Sequence, residues 1–429
     1  MRTAARHNGC MRASLLVFVC ALVCAAQDLR PKDVREIGKG GSNALPRLGE
    51  LLKHSDVAIR AEAVRQITEI GTLPSLDLLV QASRDNDPEV QLRAADGLVN
   101  FYLPGYVRTG VAASITRVGG SIKGRFTDTN DQVIDSFITV RPDVETAIGS
   151  LVRGGNGMEV RAGAARGAGI LRAKGAVPDL LEALRTKNSD LLYESLIALQ
   201  KIRDESSGPR ITFLLRDPDP KVQIAAVETT GVLRNKEAVP DLLRVLKDAK
   251  NDKVRRATLG ALAMLPDEKS RPAFQQYLGD KDEKMRAAAA EGFARLRNPA
   301  DQAELEKAWQ AEGKSNPRLS LAFALVMSGR TELSEFSPLQ YLINNLNSNA
   351  YKGIAEPFLI ELTRDERIRN TIYPVLSSGT KDEKMGLARV LARSGDRATL
   401  PYLEKLTKDT DPAVASEGVR AMRNLQARL

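Results

Sequence analysis

The chain has 429 residues, 43% of them hydrophobic but only 4% aromatic, and its 63 basic and 54 acidic side chains leave a formal charge of +9. That length is too great for one hydrophobic core of roughly 100–200 residues, and so mild a charge allows acidic partners or anionic surfaces without demanding them. Scarce aromatics beside abundant alanine, leucine, arginine and glutamate favour helix over sheet.

In chain order the first element is a leader. Arg2, Arg6 and Arg12 precede an apolar run from Ser14 to Val23, and Cys24-Ala25-Ala26 places small residues before Gln27. This is the layout of a secretory signal peptide over residues 1–26, and it predicts export to the periplasm or the extracellular space. Even extended to Ala26, the run covers roughly 20 Å at 1.5 Å per residue, short of a hydrocarbon core of about 30 Å. All three cysteines (Cys10, Cys20, Cys24) lie inside the leader, so residues 27–429 offer no disulfide, thiolate nucleophile or thiolate metal site. Lipid attachment through Cys24 is the alternative, but Val23 is larger than the residue bacterial lipoproteins carry there. Cleavage removes three arginines and no acid, which lowers the charge from +9 to +6.

Beyond the leader, two phrases alternate. The first is a proline followed by apolar residues two and six positions on: Pro46, Pro74, Pro178, Pro209, Pro240 and Pro272. Proline is favoured in the first helical turn, where its missing N–H is no loss, and a separation of four keeps apolar residues on one face. The second phrase is Asp-Pro-x-Val or a polar equivalent, then alanines, as at Asp87-Pro88, Asp219-Pro220 and Asp411-Pro412. Its apolar anchors are Ile59, Val90, Val160, Leu192, Val222, Val254, Met285, Leu319, Tyr351, Met385 and Val414, spaced 29 to 34 residues apart except for a gap of 70 after Val90. Each period therefore predicts a Pro-started helix, a short turn and an Ala-rich second helix, with glycines such as Gly71 and Gly175 as stops. Two such helices cannot bury both apolar stripes on each other, so the units must stack.

The Pro-x-Leu-Leu-x-x-Leu helix followed by Asp-Pro-x-Val-Arg-x-x-Ala-Ala resembles the short HEAT repeats of about 31 residues common in bacteria, of the HEAT-like or phycobilisome-lyase type. The resemblance covers about residues 30–100 and 143–429. It implies an all-α solenoid of about 11–12 two-helix repeats, and little about function, because this scaffold hosts unrelated roles.

Residues 101–142 break the pattern and predict an irregular insertion or a degenerate repeat within the 27–429 solenoid. The segment is rich in glycine and β-branched residues and holds Tyr102, Tyr106, Lys123, Arg125 and Phe126, the candidate partner-binding residues. Gly119 to Gly124 has the spacing of a phosphate loop, but Arg125 and Phe126 stand where lysine and Ser/Thr are needed. Asp128 to Gln132 begins like a calcium loop and lacks its glycine and distal glutamate.

Catalysis needs a nucleophile, a tuned acid or base, or a metal. Outside the leader there is no cysteine, and one histidine, His54, falls in a turn. Trp309, four residues after Leu305, fills a core slot of its repeat. The recurring Arg60, Arg93, Arg161, Arg255 and Arg286 are expected to pair with acids of their own turns or to cap carbonyls, or else to form a basic stripe on the inner surface. No catalytic residue, cofactor or metal is expected. The sequence predicts a non-enzymatic scaffold for a protein partner. The alternatives are a prosthetic-group lyase or chaperone, which the repeat type suggests, and a nucleic-acid binder, which the interspersed acids disfavour.

Overall fold

The computed structural model describes residues 29–107 and 132–429; residues 1–26, expected to be a leader, and the candidate residues Lys123, Arg125 and Phe126 lie outside them. The described residues are helical and contain no strand. They belong to two compact units, divided after Gly120.

In the first unit, a short helix Pro31–Gly38 precedes two helix pairs, Leu45–Leu51 with Val57–Ile70 and Leu73–Ala82 with Pro88–Tyr102. The second unit contains nine pairs. Their second members are Met158–Ile170, Ser189–Ile202, Pro220–Val232, Asp252–Met264, Glu283–Leu296, Ser315–Met327, Lys352–Leu362, Lys381–Ser394 and Pro412–Gln426.

The repeated phrases explain each boundary. Asp87 caps its helix by accepting from the N–H groups of Glu89 and Val90, while Pro88 supplies a residue that needs no partner. Asp219, Asn251, Asp282 and Asp411 cap their helices in the same way. The anchors from Ile59 to Leu319 and Val414 are buried. Tyr351 instead sits at the N-cap of Lys352–Leu362 and stays half-buried, as does Met385, whose buried neighbour Leu387 takes the core position.

Three expectations need correction. Pro209 does not start an α-helix: Glu205–Arg216 is a 3₁₀ helix with the proline in its interior. Gly71 does end its helix in the left-handed conformation, with φ of 60°. Gly175 does not, because Arg172 has already taken that conformation, at φ 49°, and Gly175 lies inside the 3₁₀ turn Lys174–Ala176. The interruption also starts later than Phe101, since Pro88–Tyr102 is continuous helix; from 132 the chain is irregular, with a turn at 136–137, until a helix resumes at Pro142.

Within the second unit the second helices form the inner row. Gly169 lies so close to Ala198 that an added Cβ would stand 2.8 Å from the Ala198 Cα, and Gly231 repeats this against Ala261 at 3.0 Å. Small residues thus set the spacing of neighbouring inner helices. That row is concave: Arg295 on Glu283–Leu296 reaches Glu361 on Lys352–Leu362, two repeats on, with Nη2 to Oε2 at 2.9 Å. Helix axes are about 8–10 Å apart per step, so a pair can skip a repeat only where side chains converge.

The same unit's first and last repeats also meet. The Ile134 N–H donates to the carbonyl of Ile170 at 3.0 Å, while Asp135 and Ser136 bind the final helix through Arg420 and Asn424. Residues 134–136 thus strap the end of the first inner helix to the last one.

Candidate functional site

Of the sequence-predicted residues, Tyr102 ends its helix with an edge-to-face contact on Phe101, and Tyr106 follows in a turn held by Asn100; both are half-buried. The Asn100 side chain accepts from the N–H groups of Gly105 and Val107, so the chain leaves this helix along a fixed path. Lys123, Arg125 and Phe126 are not described, so no common site of the five can be drawn. Trp309 is buried in its core slot with Tyr341 edge-on, and His54 accepts from the Asp56 N–H inside its turn.

The recurring turn arginines are structural: they cap carbonyls and pair with acids of their own turns, as expected, and two of them also reach the acid of the next repeat's turn. Arg60 is buried, pairs with Asp85 of the next repeat's turn at 2.7 Å, and donates to the carbonyls of His54 and Ser55. Arg286 repeats this with Glu312 and the carbonyls of Asp280 and Lys281. Both guanidinium groups are held above their ordinary range, chiefly by these hydrogen bonds to carboxylates. Arg93 and Arg255 do pair within their own turns, with Glu89 and Asp252, and Arg161 donates to the Val152 carbonyl. These five therefore form no free basic stripe.

The exposed chemistry lies on the concave row of the second unit. Glu228, Gly260 and Glu291 occupy equivalent positions on successive inner helices, one period apart. The surrounding protein raises the Glu228 carboxyl above its ordinary value although the side chain is exposed. The same crowding raises Glu291, against the pull of Arg295 at 3.2 Å. Arg295 is held raised, because the Glu291 and Glu361 carboxylates outweigh its loss of water. Farther along, Arg389 bridges Glu356 and Glu417. Charged groups that both face a groove and hold one another in place suit recognition, since little side-chain freedom remains to be lost on binding. Among the described residues no cluster of histidine, cysteine, aspartate or glutamate could hold a metal ion, and no helix is long and apolar enough to cross a membrane.

A second feature, at the C-terminal edge of the same row, was not singled out from the sequence. Arg172, Arg203, Arg234 and Arg297 each follow the last apolar residue of an inner helix, and all four have positive φ, from 49° to 59°. The signal was a Leu-Arg or Ile-Arg pair recurring at the repeat period.

Residues 24–108, 208–269 and 248–326 match the family model described as HEAT repeats. These segments are HEAT repeats. The helix pairs between and beyond them, in 142–202 and 338–426, have the same construction. No curated protein matches the chain. Among solved structures, an engineered protein is similar over 89% of this chain and 98% of its own, at 18% identity and a TM-score of 0.33. The complex of CpcE and CpcF of phycocyanin lyase from Nostoc sp. PCC7120 is similar over 61% of this chain and 90% of its own, at 15% identity and a TM-score of 0.37. A chain from a structure of Kap95p binding to RanGDP is similar over 92% of this chain and 58% of its own, at 12% identity and a TM-score of 0.42. All three are distant, and no functional conclusion is drawn from them.

Proposed function

We propose that this HEAT-repeat solenoid is an exported, non-enzymatic scaffold that holds a protein partner on the concave row of its second unit. The arrangement of Arg295 carries this reading: pinned between Glu291 on its own helix and Glu361 two repeats on, it orders charge along the inner row. Preorganised, alternating charge of this kind favours a partner with complementary side chains over a uniform polyanion. The leader at 1–26 supports export, which places the partner in the cell envelope or outside the cell.

The test is capture from envelope extract by the tagged chain, with a photo-crosslinking residue at Gly260, where an added side chain meets nothing within 4 Å. One defined protein should crosslink at 260, and Glu228→Lys should abolish that crosslink. A partner recovered equally well by Glu228→Lys would move binding off this row. A coloured product after mixing with free pigment would instead identify a prosthetic-group chaperone.

A further inference from the structure

The ends of the inner helices concentrate positive charge that the fold does not use. Left-handed backbone crowds the Cβ of any L-residue, which is why glycine usually takes this position, as Gly71 does in the first unit. A basic side chain at a helix C-terminus recovers part of that cost from the helix dipole, and this accounts for one such arginine at a time. It does not account for bringing several together.

Hydrogen bonds between helices do bring them together. Gln200 donates to the Thr229 hydroxyl at 2.9 Å, joining the helices that end at Arg203 and Arg234. The hydroxyls of Thr363 and Ser394 meet at 2.6 Å, which joins the two stretches of chain that carry Arg364 and Arg393. The 134–136 strap then ties the end of Met158–Ile170, which leads into Arg172, to the final helix, and Arg428, in the turn after that helix, bonds the carbonyl of Gly395, two residues beyond Arg393. Arg172 feels the like charges of Arg203 and Arg393 and, more weakly, the opposite charge of Asp135, while Arg203 feels those of Arg393, Arg364 and Arg234. Surrounding protein, reinforced by these like charges, lowers both guanidinium groups below their ordinary value.

The nearby acids are engaged elsewhere: Asp135 with Arg420, Asp396 with Arg369, Asp365 with Arg367, and Glu205 at 3.9 Å from Arg234. Among the described residues, Arg172, Arg203, Arg364 and Arg393 make no ion pair or side-chain hydrogen bond. The Nε of Arg172 is buried with no acceptor, so this guanidinium keeps unused hydrogen-bonding capacity.

We propose that Arg172, Arg203, Arg364 and Arg393 form a binding site for a multiply charged phosphate anion, of the diphosphate class. Guanidinium forks match phosphate oxygens two at a time. A single carboxylate would leave most of this charge unbalanced, whereas a diphosphate brings about three negative charges to one point. The site goes beyond the partner-binding reading and does not depend on it, since the anion binds whether or not a protein occupies the row.

Isothermal titration of the full chain with inorganic diphosphate at low salt tests the site. One diphosphate per chain is expected, bound more tightly than inorganic phosphate. Arg203→Gly should weaken it at least tenfold while raising the Tm, because glycine relieves both the backbone strain and the repulsion. Arg297→Gly, the same substitution at a left-handed arginine outside the cluster, should leave affinity unchanged. Absence of saturable binding overturns the proposal, as does equal loss in the Arg203 and Arg297 variants. If Arg203→Gly melts lower than its parent, Arg393→Gln decides, and retained affinity in that variant overturns the site. A nucleoside diphosphate binding more tightly than diphosphate alone would show a carried group to be the ligand; the reverse order would show a free anion. Diphosphate binding without partner capture, or capture without diphosphate binding, separates this site from the scaffold reading.

Discussion

Asp135 and Arg420 form a two-pronged ion pair, 2.7 Å from Nη2 to Oδ1 and 3.1 Å from Nε to Oδ2, between residues 285 apart in the chain. The pair raises the Arg420 guanidinium above its ordinary range, chiefly through this hydrogen bond. Arg420 is 57% exposed, so its loss should lower global stability by no more than about 1 kcal/mol. The local effect should be larger. In Arg420→Ala the strap loses its main hold on the last helix, and amide exchange should accelerate at Ile134 and Ser136, whose N–H groups bond Ile170 and Asn424. Unchanged exchange at both amides would mean that the strap does not depend on this pair.

Gly169→Leu addresses the spacing of the inner row. The new side chain would meet the backbone of Ala198, which cannot swing aside as a long side chain could. Overpacking of this kind costs about 1–3 kcal/mol. Gly260→Leu, facing open space inside a helix, should raise stability by up to about 1 kcal/mol, because leucine has the higher helix propensity. Chemical denaturation of the two variants checks the contrast; equal stabilities would refute close packing at Gly169.

The solenoid was legible because its two phrases encode local physics. Asp-Pro states a cap and a first turn, and Pro-x-Leu-x-x-x-Leu states a helix and its buried face. Burial of Leu305 and Trp309 followed from the same spacing. The charged site was not legible for a different reason. Arg60 and Arg203 look alike in sequence, yet one is spent on Asp85 and two carbonyls while the other has no side-chain partner among the described residues. That difference is set by helix orientation and by the meeting of the first and last repeats of the second unit, which no spacing of 29 to 34 residues records. Left-handed arginines are likewise hard to read, because glycine is the usual sign of that conformation and is missing from those positions.

Arg60→Ala should destabilise the first unit by about 3 kcal/mol, since it leaves Asp85 charged, poorly hydrated and without its partner. Arg60→Lys should recover little of this. One ammonium cannot span both carboxylate oxygens of Asp85 and the carbonyls of His54 and Ser55, all of which the guanidinium reaches. Thermal melts of both variants test this, and full rescue by lysine would show that charge alone, rather than the fork, holds the two turns.

Glu228 offers a pH-dependent test of the groove. Its carboxyl lies above the ordinary value of 4.5 because surrounding protein strips water from the charged form, and no ion pair offsets that loss among the described residues. As pH rises through the ordinary glutamate range, the unfolded chain releases this proton before the folded one does. The folded state then binds more protons, so this residue's contribution to stability falls with rising pH until the folded group also ionises. Glu228→Gln, which cannot ionise, should therefore melt higher than its parent at pH 7. The difference should vanish below about pH 4, where both states of the parent are protonated. Melting curves across that range decide the matter: a variant no more stable than its parent at pH 7 would mean that water reaches Glu228 freely, and that the concave row is more open than the Arg295–Glu361 bridge implies.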